Sequence, residues 1–269
     1  MIRKPVVAGQ FYSGSKEALE REVQALVDSK ADKEDAIGVV SPHAGYAYSG
    51  PVAGSVLSAI KPRKRYIILG PNHTGLGEAF GLDENDSWKT PLGEVRIDRE
   101  LADAIQSNCK FIKSDSVSHA HEHSIEVQLP FLQFLQQDFK IVPIAVSYAD
   151  LSACVDAGKA IASAIKGLRI ADDVTIIASS DMTHYESQEE ARRKDMIAIG
   201  AMLALDEAKL VMKVSEAAIT MCGYAPAAIM IAAAKELGAR SARVVKYQTS
   251  GDVTGDRSSV VGYAGIIIN

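Results

Sequence analysis

The sequence predicts an α/β fold in which a central mixed β-sheet is covered by helices on both faces. Three observations carry this. Short runs such as AIGVVS (36–41), RYIILG (65–70) and VTIIASSDM (174–182) are apolar at successive positions, as strands buried on both faces are. Strand-like and helix-like stretches alternate along most of the chain. A hairpin pattern at 87–98 and two closing strands introduce antiparallel pairing, so the sheet is mixed.

The first strand, 36–41, runs into Pro42-His43-Ala44-Gly45, and a helix rich in small residues follows over 50–60. The second strand, 65–70, ends in Gly70-Pro71-Asn72-His73. SWKTPLGEVRID (87–98) reads as a hairpin around Pro91-Leu92-Gly93, followed by a helix over 99–107. In HAHEHSIEVQLPFLQFLQ (119–136), Ile125, Leu129 and Leu132 share a helical face, and Pro130 kinks that helix or opens its second half. FKIVPIAVSY (139–148) is a strand whose Pro143 suggests an edge or irregular position. Helices are expected over 151–165, 187–205, 206–214 and 225–237, with Ser187-x-x-Glu190 as a capping box and Gly238 as a stop. The chain closes with strands in ARVVKYQTS and SSVVGYAGIII, joined by a polar loop at 251–257. No repeat, low-complexity tract or linker interrupts the 269 residues, which predicts one domain over 1–269.

Composition narrows the function classes. Hydrophobic residues make up 47% and charged residues 23%, an ordinary balance for a globular chain. The net charge of -5, with 29 basic residues thinly spread, predicts no nucleic-acid partner, and Lys61-Pro62-Arg63-Lys64-Arg65 reads as a solvated connection. The longest apolar run, 225–234, is about half the ~18 residues a membrane span needs, which predicts no membrane association. The opening MIRKPVVAGQFYSGS lacks the apolar stretch of a signal peptide, and Cys109, Cys154 and Cys222 are too few and too scattered for a disulfide framework. A reducing cytoplasm is the expected location. The chain has no GxGxxG after a strand and no GxxxxGK[ST], so no nucleotide cofactor is expected.

The chemistry-bearing residues gather at segment ends. His43, His73 and the pair Asp181/His184 each follow a strand, and parallel strands would bring them to one rim, where open α/β sheets bind ligands. A lone histidine is ordinarily a hydrogen-bonded surface or core group. Two in matching Gly/Pro turns suggest the imidazoles of a mononuclear metal site. Cys222, in MCGYAPAA, precedes a helix whose N-terminus would favour the thiolate, although a free cysteine is usually a small buried hydrophobe. Asp181 could orient His184 for proton transfer, or cap a helix. Of the alternating histidines His119, His121 and His123, the one expected to reach the cleft and handle protons is His123.

Taken together, AGQFY, PHAGYAYSG, LGPNHTG, HEHSIEVQLPFLQ, SSDMTHY, CGYAPAA and TSGDVTGDRSSVVGYAG resemble, in that order, the Memo family. The resemblance covers nearly the whole chain. It implies a fold similar to class III extradiol dioxygenases, the iron enzymes that open catechol rings. It also implies that His43, His73 and Cys222 match the family's metal-binding cleft, with Asp181 and His184 as the neighbouring polar pair. Phe11 stands where the family has an aromatic at the cleft edge, and Tyr48 matches a cleft-lining residue. The dioxygenases hold ferrous iron with two histidines and a carboxylate. A thiolate in third place shifts preference toward copper(I), zinc or a different iron chemistry, so ring cleavage does not carry over.

Three functions follow as expectations. The first is a metal-dependent oxidoreductase with one iron or copper ion, zinc being a further option, on His43, His73 and Cys222. Here His184, oriented by Asp181, moves protons on a small-molecule substrate. The second is a binding module whose cleft, rimmed by Phe11, Tyr46 and Tyr48, holds an aromatic or phosphorylated peptide side chain, in keeping with the family's eukaryotic member linked to receptor-driven cell motility. The third is a metal-free thiol hydrolase with Cys222 as nucleophile and His184-Asp181 as base and orienter.

Overall fold

The computed structural model describes residues 1–269. The first half comprises β1 (Ile2–Arg3), α1 (Lys16–Leu26), β2 (Gly38–Ser41), α2 (Tyr46–Ser58), β3 (Arg65–Pro71), β4 (Phe80–Leu82), β5 (Ser87–Thr90) and β6 (Gly93–Ile97). Then come α3 (Arg99–Asn108), β7 (Ile112–Ser114), α4 (Val117–Ala120), α5 (Leu129–Leu135), β8 (Lys140–Val146), α6 (Leu151–Leu168) and β9 (Val174–Ser179). The chain ends with β10 (His184–Glu186), α7 (Gln188–Leu203), α8 (Glu207–Glu216), α9 (Tyr224–Glu236), β11 (Ala242–Thr249), α10 (Gly251–Thr254) and β12 (Val260–Ile268). No helix is long and apolar enough to cross a membrane.

The strands form one 12-stranded sheet whose main path runs β1-β5-β6-β8-β3-β9-β2-β12-β10, with β11 on β12, and with β4 on β8 and β7 on β4. At its centre β8, β3, β9 and β2 are mutually parallel, whereas β12 runs antiparallel to β2 and β5 antiparallel to β6. The sheet is therefore mixed, as the sequence predicts.

Adjacent residues on each central strand serve opposite cores, because side chains alternate across a strand. Val40, Ile67, Leu69, Ile176 and Ile266 face a core closed by α3, α6, α7, α8 and α9. Their neighbours Val39, Ile68, Ile177 and Ile267 face a second core closed by α1, α2, α5 and the β5–β6 hairpin. This is why the strand runs are apolar without alternation. Cys109 and Cys154 are free, buried members of the first core.

One expectation needs correction, and another is narrowed. The segment 119–136 is not one helix: α4 ends at Ala120, a single 3-10 turn covers Glu126–Gln128, and α5 begins at Leu129 with Pro130 in its first turn. The carboxylate of Glu122 takes the backbone N–H groups of His123 and Ser124, donors that a helix would have used. Of the edge or irregular position that Pro143 suggests, the structure shows the irregular one, in a strand paired on both sides. Pro143 lies where the outer side of β8 changes partner, from β6 at Lys140 and Ile141 to β4 at Ile144 through Val146. Its carbonyl accepts from Asp83 N–H on that side, so the missing proline N–H falls at the gap between two partners. Short elements that the sequence did not reveal, β1, α1, β4, β7, β10 and α10, pack around this frame.

Candidate metal centre

The parallel orientation of β2, β3 and β9 carries their carboxyl ends to one rim. His43, His73 and Asp181 each stand two residues beyond the last residue of their strand, Ser41, Pro71 and Ser179. The turn before α9 brings Cys222 to the same place. There the Gly223 N–H donates to Ser180 Oγ at 3.0 Å. A Cβ on Gly223 would lie 2.4 Å from the Ser179 carbonyl oxygen, so only glycine lets this turn lie against the end of β9.

Cys222 Sγ is 3.3 Å from His43 Nε2, and the His43 and His73 rings meet edge to face at 5.2 Å. One donor atom from each of His43, His73 and Cys222 lies within 4.8 Å of the others. The surrounding hydrogen bonds decide which atoms these are. Ser179 Oγ must give its only proton to the Ser124 carbonyl at 2.6 Å, and it accepts from Gln128 Nε2 at 2.9 Å. His43 Nδ1, 2.9 Å away, is therefore the donor in its bond to Ser179, which leaves the Nε2 lone pair facing Cys222. His73 Nδ1 sits 3.0 Å from Glu122 Oε1, and an ionised carboxylate only accepts. Its Nε2 is likewise left with a free lone pair. An imidazole bonded through its second nitrogen to a fixed acceptor is the usual setting of a metal ligand.

His73, Glu122 and His123 form a second group of potential ligands within 4.8 Å of one another. Its geometry is that of a brace. Glu122 Oε1 accepts from His123 N–H at 2.8 Å and Ser124 N–H at 2.7 Å, and Oε2 accepts from His73 N–H at 2.6 Å. These bonds and the His73 ring occupy the lone pairs that a second ion would need. Gly70 permits the approach, since a Cβ there would lie 2.5 Å from Ser124 Oγ. Behind the brace, buried Arg3 donates to the carbonyls of His119 and Glu122 and pairs with Glu126 at 2.8 Å, while its guanidinium lies 3.9 Å over the Trp88 ring. Glu126 also accepts from Tyr12 and from the N–H groups of Val6 and Val7. The N-terminal segment is thereby clamped to the loop that carries Glu122.

Electrostatics sharpen the assignment. Burial holds His43 well below the ordinary imidazole value, with His73 and His123 adding to the effect, so it is neutral. Burial opposes charge on His73, but the bond to Glu122 and its charge outweigh that and raise it. Glu122 resists burial through His73 and the Ser124 N–H and is lowered to about 2. Burial also lowers His123. Burial, with Asp181 adding, pushes the Cys222 thiol up. This corrects the expectation of a thiolate stabilised by a helix N-terminus: desolvation outweighs the dipole when no cation is present.

The remaining candidates divide. Asp181 and His184 share the rim, but no hydrogen bond joins them. Asp181 Oδ1 accepts the N–H groups of His43 at 2.8 Å and Ala44 at 3.3 Å, shaping the His43 turn. His184 is oriented by Thr220 instead, whose carbonyl lies 2.9 Å from Nδ1 and whose Oγ1 accepts the His184 N–H. His123 stacks on His73 at 4.9 Å and meets Phe11 edge to face at 4.7 Å, so both stand at the cluster. Tyr46 does not rim a cleft: it is 2% exposed, packs on Tyr12 and Phe131 and donates to the Val127 carbonyl. α2 is buried around most of its girth, and Tyr46 lies on the side that packs into the second core. Tyr48, two residues on, is 43% exposed. His119 is buried and bonds the Gly81 carbonyl, and His121 is exposed. Glu122, Ser179, Gln128 and Thr220 escaped the sequence reading. Only Glu122, set between two histidines in His121-Glu122-His123, had a signal that could have exposed it.

The chain is similar to known proteins over nearly its whole length. The family described as Memo-like protein matches residues 3–267. A MEMO1 family protein of Methanococcoides burtonii is 45% identical over 99% of this chain and 100% of its own length. One of Methanococcus maripaludis is 43% identical over the full length of both, and one of Nitrosopumilus maritimus is 43% identical over 99% of each. Among solved structures, an uncharacterized protein of Escherichia coli K12, JW3007, is similar with a TM-score of 0.58 at 9% identity, covering 86% of this chain and 98% of that one. It shares the fold.

Proposed function

Because the chain belongs to the Memo family, we propose that His43, His73 and Cys222 hold one iron or copper ion for redox chemistry on a small substrate in a dioxygenase-like cleft. The observation that carries this is the convergence of one nitrogen from each of two imidazoles and one thiol sulfur within 4.8 Å, each imidazole locked through Nδ1 by a buried acceptor. Two neutral nitrogens and one sulfur fit a transition metal of borderline or soft character, and three ligands leave positions for substrate. Such an ion would supply an electron-transfer and Lewis-acid centre.

The chain's own groups supply the rest. Cys222 gives up its proton on metal binding. Asp181 holds the His43 turn through two backbone N–H bonds. His123, kept neutral by burial, and His184, with Nε2 left free by its bond to Thr220, are the groups that take and return protons. Phe11 and Tyr48 wall the approach. We take residues 1–269 as one Memo-like domain working in the reducing cytoplasm, where its three cysteines stay free.

A non-enzymatic binding module is the second reading, favoured by the exposure of Tyr48 beside the site. The thiol-hydrolase reading loses support, because the Cys222 thiol is held protonated and its sulfur faces His43 rather than His184. Metal content of anaerobically purified protein, wild type beside His43→Ala and Cys222→Ala, tests the first reading. Near-stoichiometric iron or copper lost in both variants supports it. No iron or copper in the wild type, even after reconstitution, overturns it in favour of the binding module.

A further inference from the structure

A hollow of about 380 Å³ is walled by residues that neighbour the rim in sequence or pairing, and none of the metal ligands lines it. Three tyrosines form much of its wall: Tyr48, Tyr185 and Tyr263. Each is tied in sequence or pairing to a residue of the rim. Tyr48 lies in the first turn of α2, just after the His43 turn, and Tyr185 directly follows His184. Tyr263 follows Gly262, whose C=O and N–H bond Met182 and Thr183, next to Asp181.

Three features mark the hollow as a ligand site. Tyr263 is 2% exposed and lines the hollow, yet its hydroxyl has no hydrogen-bond partner in the protein. The oxygen is not among the sealed, unpartnered polar atoms of the interior, so it opens into the hollow and is free to bond a molecule held there. Tyr185 adopts φ of 61°, a left-handed conformation that a tyrosine rarely takes, and is 80% exposed. Strain of this kind persists where the side chain is needed in one direction, here at the mouth of the hollow. The third feature is charge. Asp256 is the only charged residue in the lining, and no lysine or arginine contributes to it. Its Oδ1 is used by Ser258 N–H and Oγ–H, while Oδ2 carries no bond.

We propose that this hollow is a binding site for a small organic ammonium ion, held against the faces of Tyr48 and Tyr185, hydrogen-bonded by Tyr263 and paired with Asp256. Aromatic faces attract such cations, and a volume of about 380 Å³ suits a ligand of roughly ten heavy atoms. The same wall disfavours anions, so a phosphorylated ligand finds no partner here. That the ammonium compound is the substrate of the metal centre rests on the function proposed above. That it binds does not.

The test uses benzylammonium as probe, with benzyl alcohol and benzoate as the neutral and anionic counterparts, followed by NMR titration and calorimetry on the full chain. The cation should bind saturably at millimolar or lower concentration, benzyl alcohol more weakly, and benzoate not at all. Tyr185→Ala and Asp256→Asn, both at the surface and so compatible with folding, should each weaken the cation about fivefold or more, and Tyr185→Phe should retain it. No saturable binding, equal binding of benzoate, or unchanged affinity in Tyr185→Ala would each overturn the proposal. Metal content is measured on the same samples. Cation binding without metal leaves the site standing and removes the redox function, whereas metal without cation binding does the reverse.

Discussion

The Nδ1 of His43 lies 2.9 Å from the hydroxyl of Ser179, and the hydroxyl can only accept from it. A serine at the end of one strand thus sets the tautomer of a histidine beyond the end of the next. Replacement by Ala removes the acceptor and frees His43 to rotate or to move its proton to Nε2. Ser179→Ala should weaken metal binding about tenfold or more without loss of the fold, as judged by chelator competition and circular dichroism. Unchanged affinity would show that His43 is oriented by other means.

Glu122 makes acid stability a local property. Its folded value of about 2 lies below the ordinary 4.5, so its contribution is present above about pH 4.5 and is lost as pH falls toward 2. His73 runs the other way: its value is raised, so its share is complete at low pH and fades as pH rises through the folded value. In metal-free protein the ionised Glu122 contributes on the order of 3 kcal/mol. Denaturation midpoints should therefore fall between pH 4.5 and 2 in the wild type, and Glu122→Gln should flatten that dependence. An identical slope in both proteins would refute the assignment.

Cys222 couples metal binding to pH. Burial pushes its thiol up, so binding must displace a proton near neutrality. Affinity should rise by about one log unit per pH unit between roughly pH 6 and 8. Cys222→Ser should bind far more weakly. A flat affinity profile in the wild type would mean that the sulfur is not a ligand.

The clamp behind the site should matter for folding. Arg3 and Glu126 are buried partners, and removing one leaves the other charge unpaired. Arg3→Ala should cost about 3–5 kcal/mol in urea denaturation, and Arg3→Met with Glu126→Gln should cost less than the two single changes added together. Additive losses would show that the two side chains act independently.

The local part of this architecture was open to reading. Strands of uninterrupted apolar residues announce burial on both faces, and Pro42-His43 and Pro71-Asn72-His73 announce turns that expose an imidazole. Where a residue's role depended on a distant partner, sequence patterns misled. Leu129 and Leu132 carried a helical period back across Glu122, whose carboxylate had taken the backbone donors of its neighbours. Tyr46 and Tyr48 looked alike in sequence, and the rotation of α2 buried one and exposed the other.

By itself, then, the sequence determined the mixed α/β class, the strand ends that bear His43 and His73, and the family. The class and the strand ends depend on periodicity or turn chemistry within a few residues, and the family on motifs that resemble its own along nearly the whole chain. The tertiary structure alone decided that the three strands run parallel, that Glu122 and not Asp181 grips a ring of the site, and that Ser179 sets a tautomer. It also decided that Cys222 meets His43. His73 and Glu122 are 49 positions apart and His43 and Cys222 are 179 apart. Contacts over such separations form only when the sheet stacks its strand ends on one rim, and no local pattern encodes that juxtaposition.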